Sequence, residues 1–166
     1  MGMIESEWLT CGSRNQMRGV IKNRPFPAVR WVRFNLACTD RIHHLLDDER
    51  CLFYMRKLYE CVVDMDRSSL PSFQREEINV REALRELWRQ RSDPLRDAKV
   101  AGVRAILAVP QHTLETSEMV AVAVRRRDCQ TSIPSWTAYQ DETRAHCRLL
   151  RDIFGNPFRP VAFDPE

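Results

Sequence analysis

The chain has 166 residues, of which 43% are apolar and 30% charged, with a formal net charge of +3. That length suits one domain with its own core, and the balance argues against both a disordered chain and a membrane-embedded one. So small a net charge offers no strong field for gathering a polyanion, and the longest apolar runs, Ala105 to Pro110 and Met119 to Val124, fall far short of the roughly 20 residues that span a bilayer.

Seven helical segments are predicted, and no stretch keeps the period-2 alternation of a half-buried strand. The first runs from about Ser6, a candidate N-cap, to Val20, with Trp8, Leu9, Met17 and Val20 inward and Gly12 and Gly19 weakening it. Pro25 and Pro27 break the chain because proline lacks an amide donor and pushes its predecessor out of helical space. The second begins near Pro27 or Ala28 and carries Trp31, Phe34, Leu36, Cys38, Ile42, Leu45 and Leu46 as a broad apolar stripe. Asp47-Asp48-Glu49 caps the third, which runs to about Met65 with Leu52, Met55, Leu58, Tyr59, Val62 and Val63 at helical spacing.

The fourth runs from about Phe73 to Arg91, with Ile78, Leu84, Leu87 and Trp88 inward and pairs such as Glu77 with Arg81 on the solvated face. Asp93 as cap and Pro94 at the first position start the fifth, which ends near Val109. Thr113 to Cys129 forms the sixth, although Met119 to Val124 is β-branched enough for a strand to compete. Ser135 caps the last, which ends at Phe154, with Gly155 where a left-handed terminating residue belongs. The expected fold is all-α: an irregular multi-helix single domain over residues 1–166. It has a helical body at 1–154 and a Pro-rich extended tail at 155–166 packed on it.

The N-terminus, Met1 to Trp8, carries acid where an export signal needs basic residues and an apolar stretch. Gly2 and Ser6 match only the two ends of a myristoylation pattern. Six cysteines without a C-x-x-C pair read as buried reduced thiols in a cytoplasmic protein. Cys38 with His43 and His44 does not make a metal site, because adjacent helical histidines diverge by about 100° and no fourth ligand is nominated. His146 and Cys147 diverge in the same way, so this histidine would not activate this thiol. Neither a metal nor a cofactor is expected, and no phosphate loop, zinc-protease or nucleophile-elbow motif is present.

Two surfaces remain as candidates. Arg14, Arg18, Arg30 and Arg33 alternate with Phe26, Trp31 and Phe34 and could contact phosphates while bases stack, although core packing accounts for the aromatics first. Phe154, Gly155, Asn156, Pro157, Phe158, Arg159 and Pro160 form a helix end, a glycine stop and a proline-directed segment. From it Phe158 and Val161 can dock on the core or meet a partner.

Three blocks are distinctive: Glu7-Trp8-Leu9-Thr10-Cys11, Arg41-Ile42-His43-His44-Leu45-Leu46-Asp47-Asp48-Glu49-Arg50, and Leu149 to Val161. In them the chain resembles an uncharacterised protein family abundant in planctomycete bacteria. Members of that family carry a denser cysteine and arginine run before the second block and a tryptophan near His43, where this chain reads Leu36-Ala37-Cys38-Thr39-Asp40-Arg41-Ile42-His43. They often continue beyond the Pro-rich tail, so Glu166 marks a short form or a trimmed one. The resemblance implies a lineage and a helical fold but no catalytic residue.

The leading expectation is a non-enzymatic protein-interaction or scaffold module whose partner is a protein, either another copy or a different chain, with no membrane contact. One alternative is nucleic-acid binding through Arg14, Arg18, Arg30 and Arg33, with steep salt dependence. The other is a thiol enzyme using Cys147 or Cys38, its pKa lowered, with a histidine such as His112 from another helix.

Overall fold

Apolar residues at three- and four-residue intervals become eight α-helices and one 3-10 turn in the computed structural model, with no strand among the described residues. These are residues 3–22, 24, 26–64, 74–90, 92–110, 115–128 and 135–159. The helices are α1 (Glu5–Thr10), α2 (Arg14–Ile21), α3 (Ala28–Asp40), α4 (Glu49–Asp64), α5 (Gln74–Arg89), α6 (Arg96–Ala108), α7 (Glu115–Asp128) and α8 (Ser135–Phe154). The 3-10 turn, His43–Leu45, follows α3.

Two apolar clusters share α3 and α6. Phe34 and Cys38 of α3, with Ala98, Ala101 and Ala105 of α6, pack with Trp8, Met17, Val120, Cys147, Leu150 and Phe154. From other faces of the same two helices, Val32, Leu36, Val100, Val103 and Ile106 pack with Tyr54, Leu58, Val80 and Leu87 of α4 and α5. Alanines on one face and larger β-branched residues on another let α6 approach α7 closely while filling the space toward α5.

Four expectations about helix bounds and caps need correction. The first helix is two, because the chain leaves helical space at Cys11 (φ −60°, ψ 125°). Arg151 of α8 donates to the carbonyls of Trp8 (3.1 Å) and Cys11, so the acceptors that end α1 are satisfied from outside, next to a glycine that favours the break. Nor is Ser6 the cap; α1 starts at Glu5, and Glu7 accepts the Ile4 amide at 2.9 Å. The second helix stops at Asp40, and Ile42 to Leu46 continue through bonds such as Leu45 N to Ile42 O (2.8 Å), a tighter winding that still buries Leu45 and Leu46. Asp93 and Pro94 make a turn before α6, with Asp93 accepting the Leu95 amide at 2.8 Å.

In α5 the buried face is Val80, Ala83 and Leu87, which leaves Ile78 and Trp88 outside; Leu9 and Leu52, also placed inward by spacing, are exposed. Trp88 follows Leu87 by one residue and so points about 100° away, where Arg104 lies over its ring at 5.8 Å. The strand alternative at Met119 to Val124 is settled as helix α7. Gly155 terminates α8 at φ +71°, a conformation a Cβ would strain.

Candidate functional site

Most polar side chains face water, but α8 carries Glu142 and His146 one turn apart on its inner face, and both are buried. A buried carboxylate needs partners, and three helices and a turn supply them. Arg41, just after α3, holds Glu142 with both arms of its fork, the second at 3.1 Å. Arg14 of α2 lies inside with His146 Nδ1 at 3.3 Å and pairs with Glu118 of α7. Tyr139 closes the chain of contacts by donating to Glu118 at 3.0 Å.

An arginine only donates, so His146 Nδ1 must accept and the proton sits on Nε2. Nε2 lies 3.0 Å from Glu142 Oε1, close enough to feel the carboxylate yet off the line of a well-formed hydrogen bond. With neutral histidine, two guanidinium groups balance two carboxylates. Burial alone would raise the Glu142 carboxyl, but His146 and Arg41 outweigh it and hold it down at about 2. Burial, helped by Arg14 and Arg41, keeps the His146 pKa below its ordinary value in spite of Glu142. Sealed from solvent, the histidine cannot reach a substrate, and the network's chemistry is to tie α2, α3, α7 and α8 into one register.

Acid stability follows with its sign. His146 is held neutral in the fold, so stability falls as pH drops below about 6.5, where the unfolded chain takes up a proton that the folded one refuses. Glu142 adds stability that is complete above about 4.5 and lost as pH falls toward about 2, worth about 3 kcal/mol at about 1.4 kcal/mol per pH unit. The charged groups facing the pair are Arg14 from α2, Arg41 from the α3 end, and Glu118 of α7 through Arg14, with the titratable Cys38 thiol held neutral beside them. Urea midpoints from pH 8 to pH 3 should show both losses, with His146→Gln flattening the upper one and Glu142→Gln the lower.

The sequence-level candidates divide. Arg14 is not a surface cation: it is buried and paired, so the four arginines do not form one exposed set. Arg18 and Arg33 are exposed, while half-buried Arg30 donates to the Phe154 carbonyl at 3.3 Å and lies over the Phe26 ring. Burial raises the Cys38 thiol and pushes Cys147 up to about 11, the opposite of the lowered pKa that a thiol nucleophile needs. His112 lies outside the described residues. Cys38 faces the core while His43 and His44 stand in solvent, and among the described residues no three potential ligands gather.

The tail candidates do come together. Beyond Phe154 and Gly155, Asn156 donates to Glu5 at 2.6 Å, Pro157 is buried, Phe158 packs on the core under Arg24 (5.6 Å), and Arg159 pairs with Glu5. Pro160 and Val161 lie outside the described residues. Glu142, Glu118 and Arg41 were missed by sequence reasoning; the Glu142-to-His146 spacing was the one available signal.

Next to this tail an open groove of about 1370 Å³ runs between α1 and α2. Ile4, Glu7 and Cys11 form one wall at three- and four-residue spacing, and Gln16, Gly19 and Val20 form the other. Its lining is more apolar than polar, and Gly12 and Gly19 leave the walls open, since a Cβ on either would meet no atom within 4 Å. Comparison with family models, with curated proteins and with solved structures finds no match.

Proposed function

We propose that the chain is a non-enzymatic protein-interaction module that seats an extended apolar peptide segment in the α1–α2 groove. The observation that carries this is the groove itself: two short walls set by helical spacing, an exposed Ile4 at the rim and glycine gaps that let a backbone approach. A non-helical occupant is favoured because the adjoining rim, Glu5 and Arg24, already receives the non-helical segment Asn156 to Arg159. The cytoplasm is the proposed compartment, supported by Cys38, Cys51 and Cys147 as buried thiols outside any disulfide, and no described helix is long and apolar enough to cross a membrane. Kinship with the planctomycete family belongs to the same proposal and rests on the three sequence blocks.

Gly19→Trp tests the site, because a Cβ there would meet no atom within 4 Å, the position lines the groove, and glycine is a poor helix former. Peptides selected by display against the full chain should be apolar and extended, with binding weakened at least about 10-fold by Gly19→Trp, a loss of about 1.4 kcal/mol. Selected peptides that bind both chains equally would overturn the groove reading.

A further inference from the structure

We infer that Cys11 and Cys147 form a redox-responsive pair: Cys11 is a modification site that takes up a small-molecule disulfide from the groove side, and Cys147 resolves the adduct into an internal disulfide that ties the α1–α2 junction to α8. The pair stands whether or not a peptide occupies the groove. Two separate contacts bring the thiols together. Arg151 of α8 donates to the Trp8 and Cys11 carbonyls, and Cys147 lies one helical turn before Arg151 on the same face. Cys11 also packs against the apolar cluster that contains Trp8 and Cys147. Burial first, and the nearby Cys11 second, push the Cys147 thiol up to about 11.

The two sulfurs differ in access. Cys11 is half-buried and lines the open groove, whereas Cys147 is 1% exposed. An oxidant in solution therefore meets Cys11 first. The junction that carries Cys11 also has room to adjust: its backbone has left helical space, the Ser13 amide donates to the Cys11 sulfur at 3.3 Å, and a Cβ on Gly12 would meet no atom within 4 Å. A disulfide requires its two Cα atoms to lie about 4.4–6.8 Å apart, so any closing movement falls on this junction and not on the packed body of α8.

With oxidised glutathione as the oxidant, the Cys11 thiolate attacks one of its sulfurs, a Cys11–glutathione disulfide forms and one glutathione thiolate leaves. The Cys147 thiolate then attacks the Cys11 sulfur, the internal disulfide forms and the second glutathione thiolate leaves. Two protein thiols give up two electrons and two protons, and one oxidised glutathione becomes two reduced ones. A high pKa makes the Cys147 thiolate scarce but more nucleophilic once formed, and its fixed place beside the adduct turns a bimolecular step into an internal one. Arg151 of α8 and Arg14 of α2, the charged groups that face it, both favour that thiolate.

The test exposes the full chain to oxidised glutathione at mildly alkaline pH, stops the reaction by alkylating free thiols, and maps the linked peptides by mass. Cys11 and Cys147 should be joined within one molecule, at least about 10-fold faster than any other pair of cysteines. Cys147→Ala should stop at the glutathione adduct on Cys11, and Cys11→Ala should leave Cys147 free over the same period. Because the pairing belongs to the fold, the same reaction in urea should lose its preference for this pair. In the parent chain, a Cys11 that stays unmodified, an adduct on Cys11 that persists as long as it does in Cys147→Ala, linkage only between molecules, or another cysteine joined to Cys11 in preference would overturn the pair. The parent-chain result needs no substitution, so a variant that fails to fold does not blunt it.

Discussion

Phe154→Ala is expected to cost about 4 kcal/mol of stability, the largest loss from any single truncation considered for this chain. Phe154 ends α8 and is 2% exposed. Its ring meets Phe26, Trp31 and Phe34 edge to face at 5.1, 4.7 and 6.3 Å. Three aromatic partners from one neighbouring segment cannot collapse into the space, because each is already held by its own backbone, so a cavity term adds to the lost transfer energy. Phe154→Leu keeps most of the volume and should cost about 1.5 kcal/mol. Trp136→Ala is the control: Trp136 is 55% exposed and makes surface contacts with Tyr139, on which it stacks, and with Arg125, which lies over its ring, so its loss should stay near about 0.5 kcal/mol. Urea unfolding followed by far-ultraviolet circular dichroism measures all three, and a Phe154→Ala loss no larger than that of Trp136→Ala would show that the hub does not carry the packing.

The same hub shows what was legible in the sequence. Apolar spacing placed α4 and α8 within a residue or two, and the glycine after Phe154 marked the stop, because caps and periodicity are local and act through the residues that display them. The split between α1 and α2 was not legible. Gly12 weakens a helix without dictating a break, and the group that makes the break affordable, Arg151, is 140 residues away. The inward placement of Ile78 and Trp88 went wrong for a related reason: α5 buries only a narrow face, and spacing alone does not fix how wide a stripe the neighbouring helices cover. Arg14 is the sharpest case. Among Arg18, Arg30 and Arg33 it looks like one more solvated cation, and only the arrival of Glu118 and His146 from α7 and α8 makes it a core residue.

Arg14→Met should cost about 3 kcal/mol at pH 8, and less at pH 5.5, a pH dependence that packing alone would not produce. The thioether fills most of the space left by the arginine stem, so the cavity is small. What remains is electrostatic. Glu118, 43% exposed, can turn to water, but the His146 Nδ1 acceptor is sealed and loses its donor. Arg14 is also one of the groups holding the His146 pKa down. Once it is removed, the histidine takes a proton more readily, which ends the unmet acceptor at Nδ1 and puts a positive charge beside Glu142, close to where the guanidinium stood. Between pH 8 and pH 5.5 the gap between Arg14→Met and the parent chain should therefore narrow by about 1 kcal/mol. Adding His146→Leu removes the orphaned acceptor, so the double variant should be more stable than the sum of the single losses predicts, with a coupling of at least about 1 kcal/mol. Urea midpoints at the two pH values decide it: a gap independent of pH together with additive losses would mean that Arg14 contributes packing and not charge.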